Sequence, residues 1–248
     1  MGRLAGLGRE IIGGLLQVVY PGICAACNQP HAEGKSGFCM ACRKALTTDP
    51  FPTCPRCGST IGPHVPVDSG CSACRQYSFQ FDRVMRLGPY DGLLRDVILR
   101  MKQISGELLA ESVGGLWAEH AESQLRALGA HIVVPVSLHW WRHWTRGYNQ
   151  SEALAFMIGK RLGLDCRPAW LRRRRNTARQ VQQTAAFRRE NVRNAFYARP
   201  RAELKGKTVL LVDDVLTTGS TANDAARALR SAGAANVVVA VLAHSHGR

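Results

Sequence analysis

The 248-residue sequence lacks any apolar run close to the roughly 18 to 20 residues that a membrane-spanning helix needs. The apolar stretch at residues 11–19 is too short for a span, and Glu10 borders it with no small-residue cleavage site behind it. Apolar residues recur at helical spacing near the start of the chain: Leu4, Leu7, Ile11, Leu15 and Val18. The pattern predicts an amphipathic N-terminal helix over residues 1–22 and a cytoplasmic protein.

Acidic residues are scarce, because the chain has 18 Asp and Glu against 33 Lys and Arg, for a net charge of +15. The imbalance is concentrated in residues 131–201, which hold 15 basic and three acidic residues. A concentrated positive field favours polyanions such as pyrophosphate, nucleic acid or an acidic membrane surface. The alternative is a solvated basic surface without a ligand.

Residues 24–74 are rich in glycine and proline and have too few apolar residues for a core. They hold eight of the nine cysteines in four Cys-x-x-Cys pairs: Cys24 and Cys27, Cys39 and Cys42, Cys54 and Cys57, Cys71 and Cys74. Two pairs supply the four thiolates of a tetrahedral Zn²⁺, so the spacing predicts two structural zinc sites. Disulfides fit less well without a secretory signal, and a redox dithiol would not need four copies. Spacing leaves sequential and interleaved pairing both open.

The most informative stretch of the chain is residues 209–221. Four apolar residues, 209–212, predict a strand buried on both faces, and two acids follow them. Five small, hydroxylated or glycine residues come next, ahead of an alanine-rich helix. A loop that opens a helix presents free backbone N–H groups to a phosphate, and acids at the carboxyl end of a strand can accept hydrogen bonds from sugar hydroxyls. The pattern predicts a ribose 5-phosphate site; the alternative is a buried strand followed by a capped helix.

This stretch resembles the 5-phosphoribosyl 1-pyrophosphate (PRPP) binding motif of the type I phosphoribosyltransferases. The resemblance implies that Asp213 and Asp214 hold the ribose hydroxyls, and that Mg²⁺ accompanies PRPP. It assigns the 5-phosphate to the loop residues Thr217, Thr218, Gly219, Ser220 and Thr221. Some members of that family carry a general-base aspartate where this chain has Thr217, so no base catalysis is expected from this loop.

Buried or partly alternating runs predict further strands at residues 81–90, 131–136 and 236–242. Helical patterns occupy residues 92–101, 106–128 and 151–163. Gly129 follows the second helix, and Gly163 ends the third. Strands that alternate with helices predict an α/β fold.

Two features of residues 131–201 point to anion binding. Three tryptophans crowd residues 139–150 together with Arg142 and Arg146, which could clamp a pyrophosphate through charge-assisted hydrogen bonds. The tryptophans could stack on bases or pack against the cysteine-rich module. Four consecutive arginines at residues 172–175 repel one another, so we expect a mobile loop over residues 172–184 that orders over a polyanion.

Taken together, these motifs resemble the ComF family of competence-associated, phosphoribosyltransferase-like proteins over nearly the whole chain. The stretch Arg-Gly-Tyr-Asn-Gln at residues 146–150 is the most telling part besides the PRPP motif. The resemblance implies a double zinc ribbon at residues 23–78 and, at residues 79–248, a phosphoribosyltransferase-like domain with a mostly parallel sheet flanked by helices. It also implies a link to DNA uptake in transformation or to use of external DNA, with competence-machinery proteins as partners. Lys102 is either a surface lysine or a ligand of the phosphate site; the family commonly has tyrosine after it, where this chain has Gln103.

Two functions therefore remain open at this point. The first is a protein that binds PRPP with Mg²⁺ and transfers its phosphoribosyl group. The second is a single-stranded DNA binding protein that keeps the fold as a scaffold and binds through its basic segment and tryptophans.

Overall fold

The computed structural model describes residues 22–31, 37–65, 70–138, 144–174 and 194–245. The predicted N-terminal helix, Arg142 with its neighbouring tryptophans 140 and 141, and residues 175–193 of the basic segment lie outside these ranges. Within the described ranges, no helix has both the length and the apolar character needed to cross a bilayer.

The described strands are β1 (Gly22–Ile23), β2 (Pro30–His31), β3 (Arg83–Pro89), β4 (Ile132–Pro135), β5 (Leu171–Arg173), β6 (Phe196–Ala198), β7 (Thr208–Leu216) and β8 (Asn236–His244). The described α-helices are α1 (Met40–Thr47), α2 (Gly92–Met101), α3 (Glu107–His120), α4 (Glu122–Ala127), α5 (Gln150–Leu162) and α6 (Ser220–Ser231). The single helix predicted over residues 106–128 is two helices, because Ala121 leaves the helical conformation at φ −107° and ψ 19°.

Four strands form the central sheet in the order β3-β8-β7-β4, and every neighbouring pair is parallel. Strand β7 is buried on both faces, as its apolar run predicts. Val209 and Leu211 join one hydrophobic core, and Leu210 and Val212 join the other. Successive side chains of a strand point to opposite faces, so one strand supplies both cores.

Helices α2, α3 and α5 cover one face of the sheet, and helix α6 with the β5–β6 ribbon covers the other. On the second face, the buried Asp224 of α6 accepts hydrogen bonds from the backbone N–H groups of Asn194 and Phe196, at 2.9 and 3.0 Å. This carboxylate fastens the ribbon to α6. The predicted α/β fold, with a mostly parallel sheet flanked by helices, is confirmed.

The expected loop at residues 172–184 is wrong for its first residues. Arg172 and Arg173 lie in β5, which pairs antiparallel with β6. Repulsion between the arginines is offset because Arg173 lies 5.3 Å from the Phe196 ring centre and Arg174 lies 4.4 Å from that of Tyr197.

Candidate functional site

The candidate site lies at the carboxyl edge of the sheet, where β7 extends past its neighbour β4. Pro135, the last residue of β4, pairs with Val212, whereas β7 continues alongside β8 as far as Leu216. Residues 213–216 are therefore free of β4 on one side. Such a crevice beyond the carboxyl ends of parallel strands is where open α/β sheets place their ligands.

Asp213 is the more constrained of the two acids. Its Oδ1 accepts a hydrogen bond of 2.8 Å from the Ser151 hydroxyl, in the first turn of α5, and one of 2.9 Å from the backbone N–H of Asp214. Burial and repulsion by Asp214 raise the pKa of the Asp213 carboxyl to about 7, against these hydrogen bonds and the charge of Lys102, which lower it. Asp213 therefore changes charge near neutral pH.

Asp214 forms an ion pair with Lys102, with 2.9 Å between Oδ2 and Nζ. The lysine and aspartate side chains are only 11% and 17% exposed, so water screens the pair weakly. Lys102 follows the last residue of α2 and lies at the carboxylates rather than on an open surface. Its role as a ligand of the phosphate site stays a prediction.

Tyr148 and Gln150 fix the end of α2 that carries Lys102. The Tyr148 hydroxyl and the Gln150 amide both donate to the carbonyl oxygen of Met101, the latter at 3.4 Å. Burial raises the pKa of Tyr148 to about 12, with Arg146 opposing the shift, so the phenol keeps its proton at neutral pH. Carbonyl groups at a helix end have no partner within the helix, and here two side chains supply one.

Asn149 joins the end of β4 to the start of α5. Its amide donates to the carbonyl of Val136 at 3.1 Å, and its oxygen caps α5 by accepting from the backbone N–H of Ser151 at 3.2 Å. Residues 148–151 thus contact both the lysine-bearing turn and Asp213. The sequence pattern had singled out this stretch but assigned no role to Ser151, Tyr148 or Gln150.

The hydroxyl-rich loop connects β7 to α6 beside the acids. Gly219 has φ 75° and immediately precedes α6, a left-handed conformation that favours glycine. The Thr218 and Ser220 hydroxyls are 2.8 Å apart, Thr217 is exposed, and Thr221 is partly exposed. The loop therefore offers hydroxyls and the free N–H groups of a helix N-terminus on the same edge as the acids.

Arg146 is partly exposed, two residues before Tyr148, whereas Arg142 lies outside the described residues. Of the residues that the sequence predicts for the site, the structure brings together Asp213, Asp214, Lys102 and the loop at one edge of the sheet.

The eight paired cysteines form two four-cysteine clusters, and pairing is sequential. The first cluster is Cys24, Cys27, Cys39 and Cys42, and the second cluster is Cys54, Cys57, Cys71 and Cys74. The sulfurs within each cluster lie within 4.8 Å of one another, and measured pairs are 3.6 to 3.9 Å apart. Four sulfurs at the Zn–S distance of about 2.3 Å would be about 3.8 Å apart, whereas a disulfide needs about 2 Å.

The protonation of these thiols also suits a cation. Burial raises the pKa of the Cys54 thiol. Hydrogen bonds from backbone N–H groups, chiefly those of Cys57 and Cys71, outweigh this effect and lower the pKa to about 7. Burial together with neighbouring thiols raises the pKa of Cys74. A thiolate in the cluster thus disfavours ionisation of a neighbouring thiol, and a divalent cation would neutralise the charges and remove this penalty. The two clusters fit two closed, structural zinc sites.

Comparison with known proteins agrees with both parts of the chain. Residues 15–76 match the double zinc ribbon domain family, and residues 154–248 match the phosphoribosyl transferase domain family. Among solved structures, the glutamine PRPP amidotransferase from B. subtilis, complexed with ADP and GMP, is 22% identical. The match covers 58% of this chain and 30% of that one, with a TM-score of 0.39.

Curated relatives match over most of the sequence. The DNA utilization protein YhgH of Escherichia coli (strain K12) is 32% identical over 226 residues, which cover 90% of this chain and 96% of the relative. Competence protein F of Haemophilus influenzae is 31% identical over 231 residues, with the same coverage of 90% and 96%. The chain therefore belongs to the ComF family of competence-associated proteins, with a phosphoribosyltransferase domain behind a double zinc ribbon.

Proposed function

We propose that this protein binds PRPP with Mg²⁺ at the carboxyl edge of the sheet and transfers the phosphoribosyl group to an acceptor. The observation that carries the proposal is the meeting of two carboxylates, a partly buried lysine and a hydroxyl-glycine loop at one edge. We place the site in a phosphoribosyltransferase-like domain at residues 79–248, behind a zinc module at residues 23–78. The names of the relatives support a role in competence or DNA utilisation. We further propose that the protein acts in DNA uptake, in the cytoplasm and together with competence-machinery proteins.

Each group has a part in binding. The N–H groups and hydroxyls of residues 217–221 bind the 5-phosphate, and Asp213 and Asp214 accept hydrogen bonds from the ribose hydroxyls. Lys102 and Arg146, with Arg142, neutralise the pyrophosphate. Two carboxylates fit a hard, oxygen-seeking cation, and Mg²⁺ would neutralise pyrophosphate and ribose oxygens when bound.

The chemistry is displacement of pyrophosphate at C1 of the ribose. The bond from C1 to the pyrophosphate oxygen breaks, a bond from C1 to the acceptor forms, and the acceptor loses a proton. Positive charge develops on the sugar ring while the leaving group gains negative charge. Asp213 and Asp214 stabilise the first charge and Lys102 the second, so catalysis is electrostatic and needs no covalent nucleophile.

The test is a thermal-shift titration of the full chain with PRPP and Mg²⁺, followed by pyrophosphate-release assays over nucleobases and DNA. Stabilisation by PRPP with Mg²⁺, and a smaller effect of ribose 5-phosphate, would support the binding site. No stabilisation at millimolar PRPP would overturn it. Pyrophosphate release with a particular acceptor would identify the transfer reaction.

The pH dependence of PRPP binding should report on Asp213. An ionised carboxylate accepts hydroxyl hydrogen bonds more strongly than a protonated one and attracts Mg²⁺, so affinity should rise as pH rises through about 7. The Ser151→Ala variant loses the donor that lowers the pKa of Asp213, so the midpoint should move up by roughly one pH unit. Ser151→Thr keeps a hydroxyl and should restore the wild-type profile. The phosphates of PRPP titrate identically in all three titrations, so an unchanged midpoint in Ser151→Ala would contradict the role of Ser151.

A second function, binding of single-stranded DNA, is favoured by a basic surface around Trp170 on the β5–β6 side. The Arg167 guanidinium and the Lys207 ammonium lie 5.9 and 5.7 Å from the centre of the Trp170 ring. A cavity of about 450 Å³ adjoins it, lined by Ala169, Trp170, Arg199, Pro200 and Arg201. An aromatic ring among cations suits a strand whose bases stack and whose phosphates need neutralising.

The Arg199→Ala/Arg201→Ala double variant should bind single-stranded DNA more weakly and with a lower salt dependence. The slope of log K against log salt should fall by about 0.7 for each phosphate that the variant no longer neutralises. Fluorescence anisotropy of a labelled oligonucleotide across a salt series measures this slope. Arg95→Ala removes an exposed arginine from α2 and serves as the matched control. Equal slopes in the double variant and the wild type would exclude this surface.

A further inference from the structure

The second cluster packs against the sheet beside the candidate phosphate loop. The carbonyl of Pro55, between its cysteines, accepts a hydrogen bond of 2.9 Å from the N–H of Val84 in β3. Ser59 Oγ lies 3.4 Å from Nε2 of His244, the last residue of β8. His244 pairs with Leu216, immediately before the loop at residues 217–221. The second cluster therefore adjoins the carboxyl edge of the sheet.

The chain that leaves the second cluster forms a connecting segment, residues 77–81. Arg56, inside the second cluster, donates a hydrogen bond of 2.6 Å to the carbonyl of Tyr77. The Phe79 side chain packs against the cysteines and stacks on Phe81, with ring centres 4.6 Å apart and an angle of 14° between the planes. The stacked rings of Phe79 and Phe81 therefore lie next to the second cluster.

The same segment supports the loop and the first turns of α6. A Cβ at Gly219 would lie 3.5 Å from the Phe79 ring and 3.6 Å from the Phe81 ring, so the two rings lie behind this glycine. The backbone N–H of Gln80 donates to the Asn223 side chain at 2.6 Å, and the carbonyl of Gln80 accepts from Arg230 at 2.6 Å. The connecting segment is therefore held by the second cluster at one end and contacts the phosphate loop at the other.

We propose that Phe79 is a positioning residue that couples zinc at the second cluster to phosphate binding at residues 217–221, so that each ligand strengthens the binding of the other. The coupling rests on the proposed function, because PRPP is the ligand at residues 217–221. The physical connection between the two sites rests on the contacts described above. Zinc fixes the four cysteines, the cysteines fix Phe79, and Phe79 with Phe81 fixes the backbone at Gly219. Coupling between two sites is reciprocal, so PRPP must also raise the affinity of the second cluster for zinc.

The first measurement needs no PRPP. Hydrogen exchange of peptides that cover residues 214–224 is compared between zinc-loaded wild type and the Phe79→Ala and Phe79→Leu variants. Phe51→Ala is the matched control, because Phe51 lies in the same module with 52% of its surface exposed. Faster exchange in both Phe79 variants, but not in Phe51→Ala, supports the link. Equal exchange in all four proteins overturns it, whether or not PRPP binds.

The second measurement is an equilibrium competition for zinc between the protein and a chelating dye, with and without PRPP and Mg²⁺. Thiol alkylation with mass spectrometry shows which cluster has opened. PRPP should raise the zinc affinity of the second cluster by roughly fivefold or more, and this gain should vanish in Phe79→Ala and persist in Phe79→Tyr, which keeps the ring. If PRPP stabilises the wild type yet leaves the zinc affinity of the second cluster unchanged, the coupling is wrong. If PRPP does not stabilise the wild type, the proposed function fails and the exchange comparison alone decides.

Discussion

Replacing Asp213 and Asp214 together by alanine is expected to abolish the thermal stabilisation that PRPP and Mg²⁺ give the protein. At a PRPP concentration 100 times its dissociation constant, the wild type should gain about 2.7 kcal/mol. For a chain of this size, the gain corresponds to an increase in Tm of roughly 5 to 10 °C. The double variant loses both acceptors for the ribose hydroxyls and the acidic partners of the cation. Its Tm should not respond to PRPP.

Controls separate this loss of binding from a loss of folding. The isosteric Asp213→Asn/Asp214→Asn variant keeps the shape of the site without the charge and should also fail to respond. Asp96→Ala removes an exposed carboxylate, 64% accessible, from α2 and should respond like the wild type. Full stabilisation of either double variant by PRPP would refute the assignment of these acids. Single-stranded DNA binding at the Trp170 surface should survive both, because it does not use the acids.

Lys102 explains how two neighbouring acids are tolerated side by side. The ammonium pairs with Asp214, and burial raises the pKa of the Asp213 carboxyl to about 7, which disfavours a second negative charge. The pKa of Asp213 in the folded protein is above its ordinary value of 3.8, so the protonated carboxyl favours the folded state. This stability is complete below about pH 4 and is lost as pH rises through about 7. The site is therefore less stable when both acids are charged.

Local sequence patterns predicted the parts of the site that are contiguous in the chain. The apolar run at residues 209–212 indicated a strand buried on both faces, and the two cores on opposite sides of β7 confirm it. The acids and the hydroxyl-glycine loop follow that apolar run directly, so the acids lie in the carboxyl-terminal half of β7 and the loop lies just beyond it. The Cys-x-x-Cys spacing likewise predicted two zinc sites, although only the fold shows sequential pairing.

Local sequence patterns could not predict contacts between residues that are distant in the chain. Lys102 and Asp214 are far apart in the chain, and so are Ser151 and Asp213, and Tyr148 and Met101. A single sequence records periodicity and spacing but not which side chains meet across a sheet edge. The arginines at residues 172–174 show the opposite error. Charge repulsion favoured a loop, but the two aromatic rings of β6, together with the buried Leu171, hold these residues in or beside a strand.

Loss of one zinc ligand is expected to have the largest effect on stability. The full chain should bind two Zn²⁺, and Cys57→Ser should reduce this number to one, as measured by mass spectrometry under native conditions. Structural zinc contributes about 10 to 16 kcal/mol in isolated zinc-finger peptides at pH 7. This exceeds the total stability of most domains, so residues 50–78 should become sensitive to protease. Cys166→Ser removes the lone cysteine, which lies outside both clusters, and is the matched control.

Acid should reproduce the effect of the substitution. Protons compete with Zn²⁺ for the thiolates, so zinc should leave both clusters as pH falls, and stability should fall with it. The sign is opposite to that of Asp213, whose contribution increases on acidification. Metal-loaded protein should therefore lose stability at low pH despite Asp213, whereas Cys57→Ser should lose less because one site is already absent. Two zinc ions retained by Cys57→Ser, or a stability that does not depend on zinc, would show that the clusters are not structural metal sites.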